Sequence, residues 1–311
     1  MEYRPLGDSD LRVSEICLGT WTTVGGSLDD AAAAALVDTA FECSINFFDT
    51  ANVYSEGRSE ETLGRALAGR PRDSFVVATK VWAPMPSGDR GLSRGQILKQ
   101  IDDSLGRLRL DHVDLYQAHA FDSDVSMEET LGAFTEVVDA GKARYIGVSN
   151  WDGDQIRRAV ELSREQGFAK IVSSQPEYSL LYREPEQDVI PASRENGVSQ
   201  IVYSPLAQGV LSGKYRPGES FAEGTRAHNR DEWMSEYLVD DVLERVQRLR
   251  PIADGPGITM AQLALAWILR EPNVASAIVG SSRPEQLRDN AAASGIDLDA
   301  GTLQAVDDVL A

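Results

Sequence analysis

The chain is short of cysteine, of histidine and of long apolar runs. It has two cysteines and three histidines in 311 residues. Two thiols cannot build the disulfide framework of a small secreted module. Cys17 and Cys43 each sit in an apolar stretch, where a buried free thiol is expected rather than a bridge. His112, His119 and His228 stand far apart and show no ligand spacing with the cysteines, so no metal site is expected. No run of about 18 apolar residues is present to span a bilayer, and the opening MEYRPLGDSD turns polar at once, unlike a secretory signal. A cytoplasmic protein in a reducing compartment is the expectation. Positive charge is the other shortage: 30 Lys and Arg against 49 Asp and Glu leave a formal charge of −19. That field argues against nucleic acid and membranes as partners. It also means that an anionic ligand needs a local cluster of donors.

Two further absences narrow the fold. No Pro/Gly/Ser-rich linker or charge block divides the chain, so residues 1–311 read as one domain. At this length a single globule buries about three quarters of its extended-chain surface and needs no metal or disulfide to hold it. Strands are expected at Ile16–Leu18, Asn46–Asp49, Val76–Lys80, Val113–Gln117, Ala143–Val148, Ile171–Gln175, Ser199–Tyr203 and Val274–Val279. Runs such as SINFFD and SFVVATK are too continuously apolar for a sheet with one wet face. Helix-period segments alternate with them. Ser27, Ser59, Ser93 and Ser126 are candidate N-caps, and later helices are expected at 153–166, 184–196, 240–253, 259–270, 283–292 and 299–310. Such alternation implies a parallel sheet, either open and doubly wound or closed. A doubly wound dinucleotide fold should carry G-x-G-x-x-G after its first strand, and LGTWTTVGGSLDD has no such spacing. Eight strands are the count of a (β/α)8 TIM barrel, the fold expected here. The helices near 240–253 and 299–310 are then extra, and YRPLGDSDLRVSE reads as a hairpin plugging the N-terminal end.

Read to their last residues, the apolar runs end in Asp49, Lys80, His119, Asn150, Gln175 and Ser204, with Gly280 and Ser281 after the eighth. In a parallel barrel all of these face the C-terminal rim, where active sites of this fold lie. Any one of them alone is more simply a satisfied polar residue; six in register are not. Carbonyl reduction explains the first three together with Tyr54, five residues beyond Asp49. Hydride addition leaves an alkoxide to be protonated, and a tyrosine of pKa about 10 is a poor acid unless its anion is stabilised. An ammonium about 4 Å away contributes about 4 kcal/mol at an effective dielectric of about 20, or roughly three pKa units before desolvation is counted against it. Lys80 can supply that cation, Asp49 can orient it, and His119 can hydrogen-bond the carbonyl oxygen.

At these residues the chain resembles the aldo-keto reductase superfamily, in FFDTANVYSEGRSEETLG, VVATKVW, DLYQAHAFD, GKARYIGVSNW, SSQPEYSLL, IVYSPLAQGVLSGKY and IVGSSRPEQLRDN. The blocks span nearly the whole chain in the family's order, and the last two are most similar to its bacterial and potassium-channel β-subunit-like branch. By this resemblance the catalytic tetrad falls on Asp49, Tyr54, Lys80 and His119. Three departures stand out: Ser44 and Ser55 where glycine is usual, and Ser179 where asparagine is common.

The resemblance implies an extended nicotinamide dinucleotide across the rim. Ser149, Asn150 and Gln175 would hold its carboxamide, and Tyr203 would stack on its ring. The pyrophosphate would follow Ser204, Leu206, Gln208, Gly209 and Lys214. After the eighth strand, the stretch from Gly280 through GSSRPEQLRDN opens a helix with serines, an arginine and a proline. That is a ready anion site, in which Ser282 and Arg283 suit a 2′-phosphate and Gln286 and Asn290 the adenine. NADP(H) is therefore expected over NAD(H). Trp21 and Trp82 would wall a pocket for a small aldehyde or ketone, Trp151 and Trp233 could belong to loops over the site, and Trp267 reads as helix core. The segment 209–236, poor in apolar anchors, is a candidate lid. A rival reading keeps the same residues in an NADP(H)-binding accessory or redox-sensing subunit that turns over slowly. For the 2′-phosphate assignment, Arg283→Ala is expected to weaken NADPH far more than NADH in fluorescence titrations; equal weakening of both would defeat it.

Overall fold

The structure is a computed structural model that describes residues 1–221, 223, 225–228 and 234–310. Trp233 lies outside the described residues. Strands β1 (Tyr3–Pro5) and β2 (Arg12–Ser14) pair antiparallel as a small hairpin. The eight that follow are β3 (Ile16–Gly19), β4 (Phe47–Asp49), β5 (Val76–Val81), β6 (Val113–Ala118), β7 (Ala143–Ser149), β8 (Ile171–Gln175), β9 (Ser199–Val202) and β10 (Val274–Val279). They pair in parallel in chain order, and β10 closes on β3. This is a (β/α)8 barrel in one domain. Every strand expected from the sequence is present, within two residues at each end, because runs buried on both faces leave little freedom in placing their ends.

Helices α1 (Asp30–Glu42), α2 (Arg58–Leu67), α3 (Arg94–Leu108), α4 (Met127–Asp139), α5 (Gly153–Gln166) and α6 (Val189–Glu195) follow β3 to β8 in turn. After β9 come α7 (Asp240–Arg248), α8 (Arg250–Asp254) and α9 (Met260–Leu269), and after β10 come α10 (Pro284–Ala291) and α11 (Ala300–Leu310). The first extra helix is thus two pieces, parted at Leu249 where Pro251 begins a new turn. The segment 184–196 is likewise broken into a single turn and α6. Asp188 leaves helical geometry between them, and its carboxylate accepts from the Gly153 amide at 2.8 Å, capping α5 from outside.

Two of the four serine caps are misplaced. Asp29, not Ser27, caps α1, its carboxylate accepting from the Ala32 amide at 2.8 Å. Ser59 lies inside α2, which is entered through left-handed Gly57, and its hydroxyl donates to the Val24 carbonyl at 2.7 Å. Ser93 occupies the cap position of α3 without a side-chain bond, whereas Ser126 caps α4 through the Glu129 amide. A buried serine with a tertiary acceptor is indistinguishable in sequence from one free to cap.

The barrel interior is a small apolar cluster distinct from the larger one between strands and helices. It holds Cys17, Phe47, Val76, Ala78, Leu115, Val172, Ile201, Ala275 and Ile278, and the hairpin adds Leu6, Leu11 and Val13 from below. The hairpin is therefore a plug in the physical sense. Gly7 at its turn donates to the Ser199 hydroxyl at 2.8 Å, and Asp8 donates its amide to the Gly197 carbonyl at 2.9 Å. Cys17 is buried and Cys43 partly buried, both as free thiols. Among the described residues no helix is long and apolar enough to cross a membrane.

Gly7 gives a sharp test of the plug. Its φ is +53°, and a Cβ there would meet the Val172 and Gly197 carbonyl oxygens at 2.2 and 2.7 Å, both backbone atoms. Gly7→Ala is expected to cost about 3 kcal/mol in chemical denaturation. A change below about 0.5 kcal/mol would mean that the hairpin does not seal the barrel floor.

Candidate active site

At the C-terminal ends of the strands the apolar interior gives way to buried polar side chains. Asp49 ends β4, Lys80 lies one residue before the end of β5, and Gln175 ends β8 on the far side of the barrel. The Lys80 ammonium donates to Asp49 Oδ1 at 2.5 Å, to the Thr50 carbonyl at 2.9 Å and to the Tyr54 hydroxyl at 3.3 Å. All three of its protons have acceptors. The other Asp49 oxygen accepts from Gln175 Nε2 at 3.0 Å. His119, one residue beyond β6, sets its ring edge-on to Tyr54, with centroids 5.6 Å apart. Its backbone is held from both sides, the amide by the Val81 carbonyl and the carbonyl by Asn150 Nδ2. The four residues expected together from strand ends are brought together.

Their ionisation departs in one respect from the simple cation argument. Burial raises the Tyr54 pKa, and the nearby Lys80 charge only partly offsets it, so the phenol stays above its ordinary value. Before desolvation is counted the ammonium favours tyrosinate; after it is counted, burial wins. For Lys80 burial pulls down, but Asp49 and Tyr54 together outweigh it, and the ammonium is held charged beyond its usual range. His119 is pushed down to about 3 by burial and by Lys80, so its ring is neutral near pH 7.

Around this core the expected cofactor residues fall on the same rim. Asn150 accepts from the Tyr203 hydroxyl at 3.0 Å and donates to the Ser149 hydroxyl at 3.1 Å; Ser149 in turn donates to the Gln175 carbonyl at 2.9 Å. Ser204, Leu206, Gln208 and Gly209 form the loop leaving β9. Lys214 is exposed, with its ammonium over the Tyr215 ring and close beside Gly209. Beyond β10, Gly280 leads to Ser281, whose buried hydroxyl has no partner among the described residues. Arg283 is exposed at the cap of α10, and Asn290 is buried within it. Gln286 folds back to accept from both the Ser282 amide and its hydroxyl, at 3.0 and 2.9 Å. Trp21 and Trp82 stand half-buried at the rim. Trp151, on the loop leaving β7, is 3 % exposed and packs edge-on against Phe121 of the loop leaving β6, with ring centroids 5.1 Å apart. Trp267 is fully buried.

The loops on this rim are strained. Among the described residues ten non-glycine positions have positive φ, and all but Ser44 and Arg109 lie on loops leaving the C-terminal strand ends. They are Thr22, Ser55, Glu56, Trp82, Asn150, Ser204, Ala207 and Gln208. Such backbone costs about 1–3 kcal/mol at each residue and gathers where a ligand must be met. Ser44 and Ser55, which stand where glycine is usual, adopt φ of 60° and 49°, so serine pays there what glycine would not. Ser179 makes the loop contact itself, accepting from the amides of Leu181 and Tyr182 at 3.2 and 3.1 Å.

Arg226 was not singled out beforehand. Its guanidinium donates to Thr22 Oγ1 at 2.6 Å on one side and to Gln208 Oε1 on the other, and it lies 5.4 Å from the Trp21 ring centre. One nitrogen would come within 3.9 Å of a Cβ on Gly280. It thus spans the loops after β3, β9 and β10. Its only sequence signal was its place in the segment 209–236, where it is one of three arginines and nothing in the spacing marks it out.

The pKa of His119 generates a prediction with a definite sign. A histidine near 6.5 when unfolded and about 3 when folded binds more protons in the unfolded chain between those values, so stability falls as pH drops through that window. The expected loss is about 2 kcal/mol between pH 7 and pH 5. His119→Gln should abolish that part of the slope in urea titrations; an unchanged slope would show that the ring is not buried neutral.

The aldo/keto reductase family model matches residues 15–311. Two relatives are each 39% identical over 295 residues, covering 93% of this chain and 90% of theirs. Each is named a probable voltage-gated potassium channel subunit beta, one from Arabidopsis thaliana and one from Oryza sativa subsp. japonica.

Proposed function

We propose that this chain, which belongs to the aldo/keto reductase family, reduces small aldehydes or ketones to alcohols with NADPH, Tyr54 acting as the proton donor. The observation that carries the reading is the Tyr54 hydroxyl 3.3 Å from a fully buried ammonium, itself fixed by Asp49 at 2.5 Å. Oxidoreduction with a nicotinamide dinucleotide is what membership of the family implies.

The residues present fit such a ligand. The loop leaving β9 holds Ser204, Ala207 and Gln208 in left-handed conformations and continues into Gly209, a backbone that can turn amides outward to phosphate oxygens. Arg226 bridges that loop to the one after β3, and the unpartnered Ser281 hydroxyl lies beside the start of α10. In a protein of net charge −19 these donors, with Arg283 and Lys214, are the local offset a multiply charged cofactor needs. Ser149, Asn150 and Gln175 would hold the carboxamide, Tyr203 the ring, and Ser282, Gln286 and Asn290 the adenosine end.

When bound, the dinucleotide supplies the hydride. The chain's own groups handle the proton. Burial keeps the Tyr54 phenol protonated across the working pH range, and an alkoxide is a strong enough base to take that proton. Lys80 meets the tyrosinate left behind with an ammonium already in place, at no cost of reorganisation. Asp49 and the Thr50 carbonyl keep that ammonium charged and aimed. His119, neutral near pH 7, donates a hydrogen bond to the carbonyl oxygen instead of competing for the proton. Trp21 and Trp82 wall the apolar side of the pocket.

A second reading has an observation of its own in the names of the two relatives. Under it the chain is an NADP(H)-binding accessory or redox-sensing subunit, and the same four residues turn over slowly. One experiment addresses both. NADPH oxidation is followed with a panel of small aldehydes for the parent protein and for Tyr54→Phe, alongside NADPH affinity. The reductase reading expects turnover to fall by about 100-fold or more with affinity retained. Slow turnover that Tyr54→Phe leaves unchanged would remove the phenol from the acid role.

A further inference from the structure

The neutral ring of His119 has two tautomers, and only the one with its proton on Nε2 can donate from that nitrogen to a carbonyl oxygen while leaving Nδ1 a bare acceptor. Nδ1 is buried, and among the described residues no hydrogen-bond partner reaches it. A buried acceptor in that state costs free energy unless a donor or a water supplies the missing bond.

Two residues back on the same strand lies Gln117. Alternation along β6 turns Leu115, Gln117 and His119 to the barrel interior, and Leu115 belongs to the interior cluster. Gln117 is 0 % exposed, yet among the described residues neither its amide nitrogen nor its amide oxygen has a partner. In register it sits between Lys80 on β5 and Gly147 on β7, and Gly147 pairs in turn with Ser173 on β8. The Ser173 hydroxyl is also buried and unpartnered. A Cβ on Gly147 would come within 2.2 Å of that hydroxyl and 3.3 Å of Gln117 Cγ. The glycine therefore brings two unsatisfied polar side chains to one small space in the middle of the barrel. The two orphaned atoms of Gln117 and that of Ser173 thus lie in the interior below the site, and the orphaned His119 Nδ1 belongs to the next inward-turned residue along the chain from Gln117. Buried water is what ordinarily satisfies such a group, and it needs two to four polar partners.

We propose that Gln117 is a positioning residue for His119: together with Ser173 it holds a buried water beside Gly147, and that water donates to Nδ1 and fixes the imidazole with its proton on Nε2. This rests on the carbonyl-reduction reading for its purpose, since the fixed Nε2–H is the group that meets the substrate oxygen. It does not rest on it for its test, because the tautomer is measured with neither cofactor nor carbonyl present. Gln117 touches no reacting atom in this scheme; it acts through the histidine.

The experiment is a nitrogen-15 long-range correlation spectrum of histidine-labelled protein near pH 7. Three histidines keep the spectrum simple, and His119→Gln assigns the signal of interest. The expected result is a neutral ring protonated at Nε2, with Nδ1 shifted as a hydrogen-bond acceptor. In Gln117→Leu the Nδ1 resonance should move to that of a free acceptor, the melting temperature should fall, and kcat should drop about tenfold with cofactor affinity retained. A parent spectrum showing the proton on Nδ1 overturns the proposal and needs no variant to fold. An Nδ1 resonance identical in parent and Gln117→Leu overturns it as well, and so does a higher melting temperature for the variant, the mark of an amide that had no partner to lose. Failure of Tyr54→Phe to lower turnover would instead strike the reductase reading and leave the tautomer result standing.

Discussion

The pair between Lys80 and Asp49 is the interaction on which the rest of the site depends. Both side chains are withdrawn from water, at 0 % and 3 % exposure, and removing two charges from solvent costs several kcal/mol for each ion. The cost is offset only because every polar atom of the pair is answered: the ammonium by Asp49, Thr50 and Tyr54, and the carboxylate by Lys80 and Gln175. Those partners come from β4, β5, β8 and the loop after β4. An open sheet would leave β8 remote from β4, and closure brings their ends within hydrogen-bonding reach across the mouth. The barrel thus supplies the site with rigidity before any ligand arrives, which is what makes a charge beside a phenol useful to catalysis.

Stability and function pull against one another along the rim. Below it, the interior is mostly apolar, interrupted by Gln117 and Ser173, and is plugged by the hairpin; above it, among the described residues, eight loop positions other than glycine have positive φ. Arg226 ties two of these positions, Thr22 and Gln208, from opposite sides. In a chain of net charge −19 a guanidinium held between two rim loops is a local concentration of positive charge, and buried Ala227 beside it helps to anchor its segment.

Strand identity, barrel closure and the four-residue core could be read from the chain because they depend on pattern. Continuous apolar runs mark strands buried on both faces, and the first polar residue after each run marks the rim. Asp49, Lys80 and His119 announce themselves in that way. Ser59, Trp151, Gln117 and Arg226 do not. Ser59 resembles a helix cap until Val24 is brought against it, and nothing in the sequence shows that Trp151 is buried until Phe121 packs against its ring. The acidity of Tyr54 was legible in its parts and not in their sum, since the approach of a cation can be inferred from strand ends but the degree of burial cannot.

What the amino-acid order determined unaided was periodicity: which segments lie inside a sheet, how many there are, and which polar groups terminate them. Folding in three dimensions decided the balances that depend on distance and on the exclusion of water. These include whether burial or a neighbouring charge governs the phenol, which oxygen a guanidinium meets, and which amide is left with no partner. Period follows from local geometry and survives in a string of letters; electrostatic and hydrogen-bond energies change steeply over an ångström, and only packed neighbours set that scale.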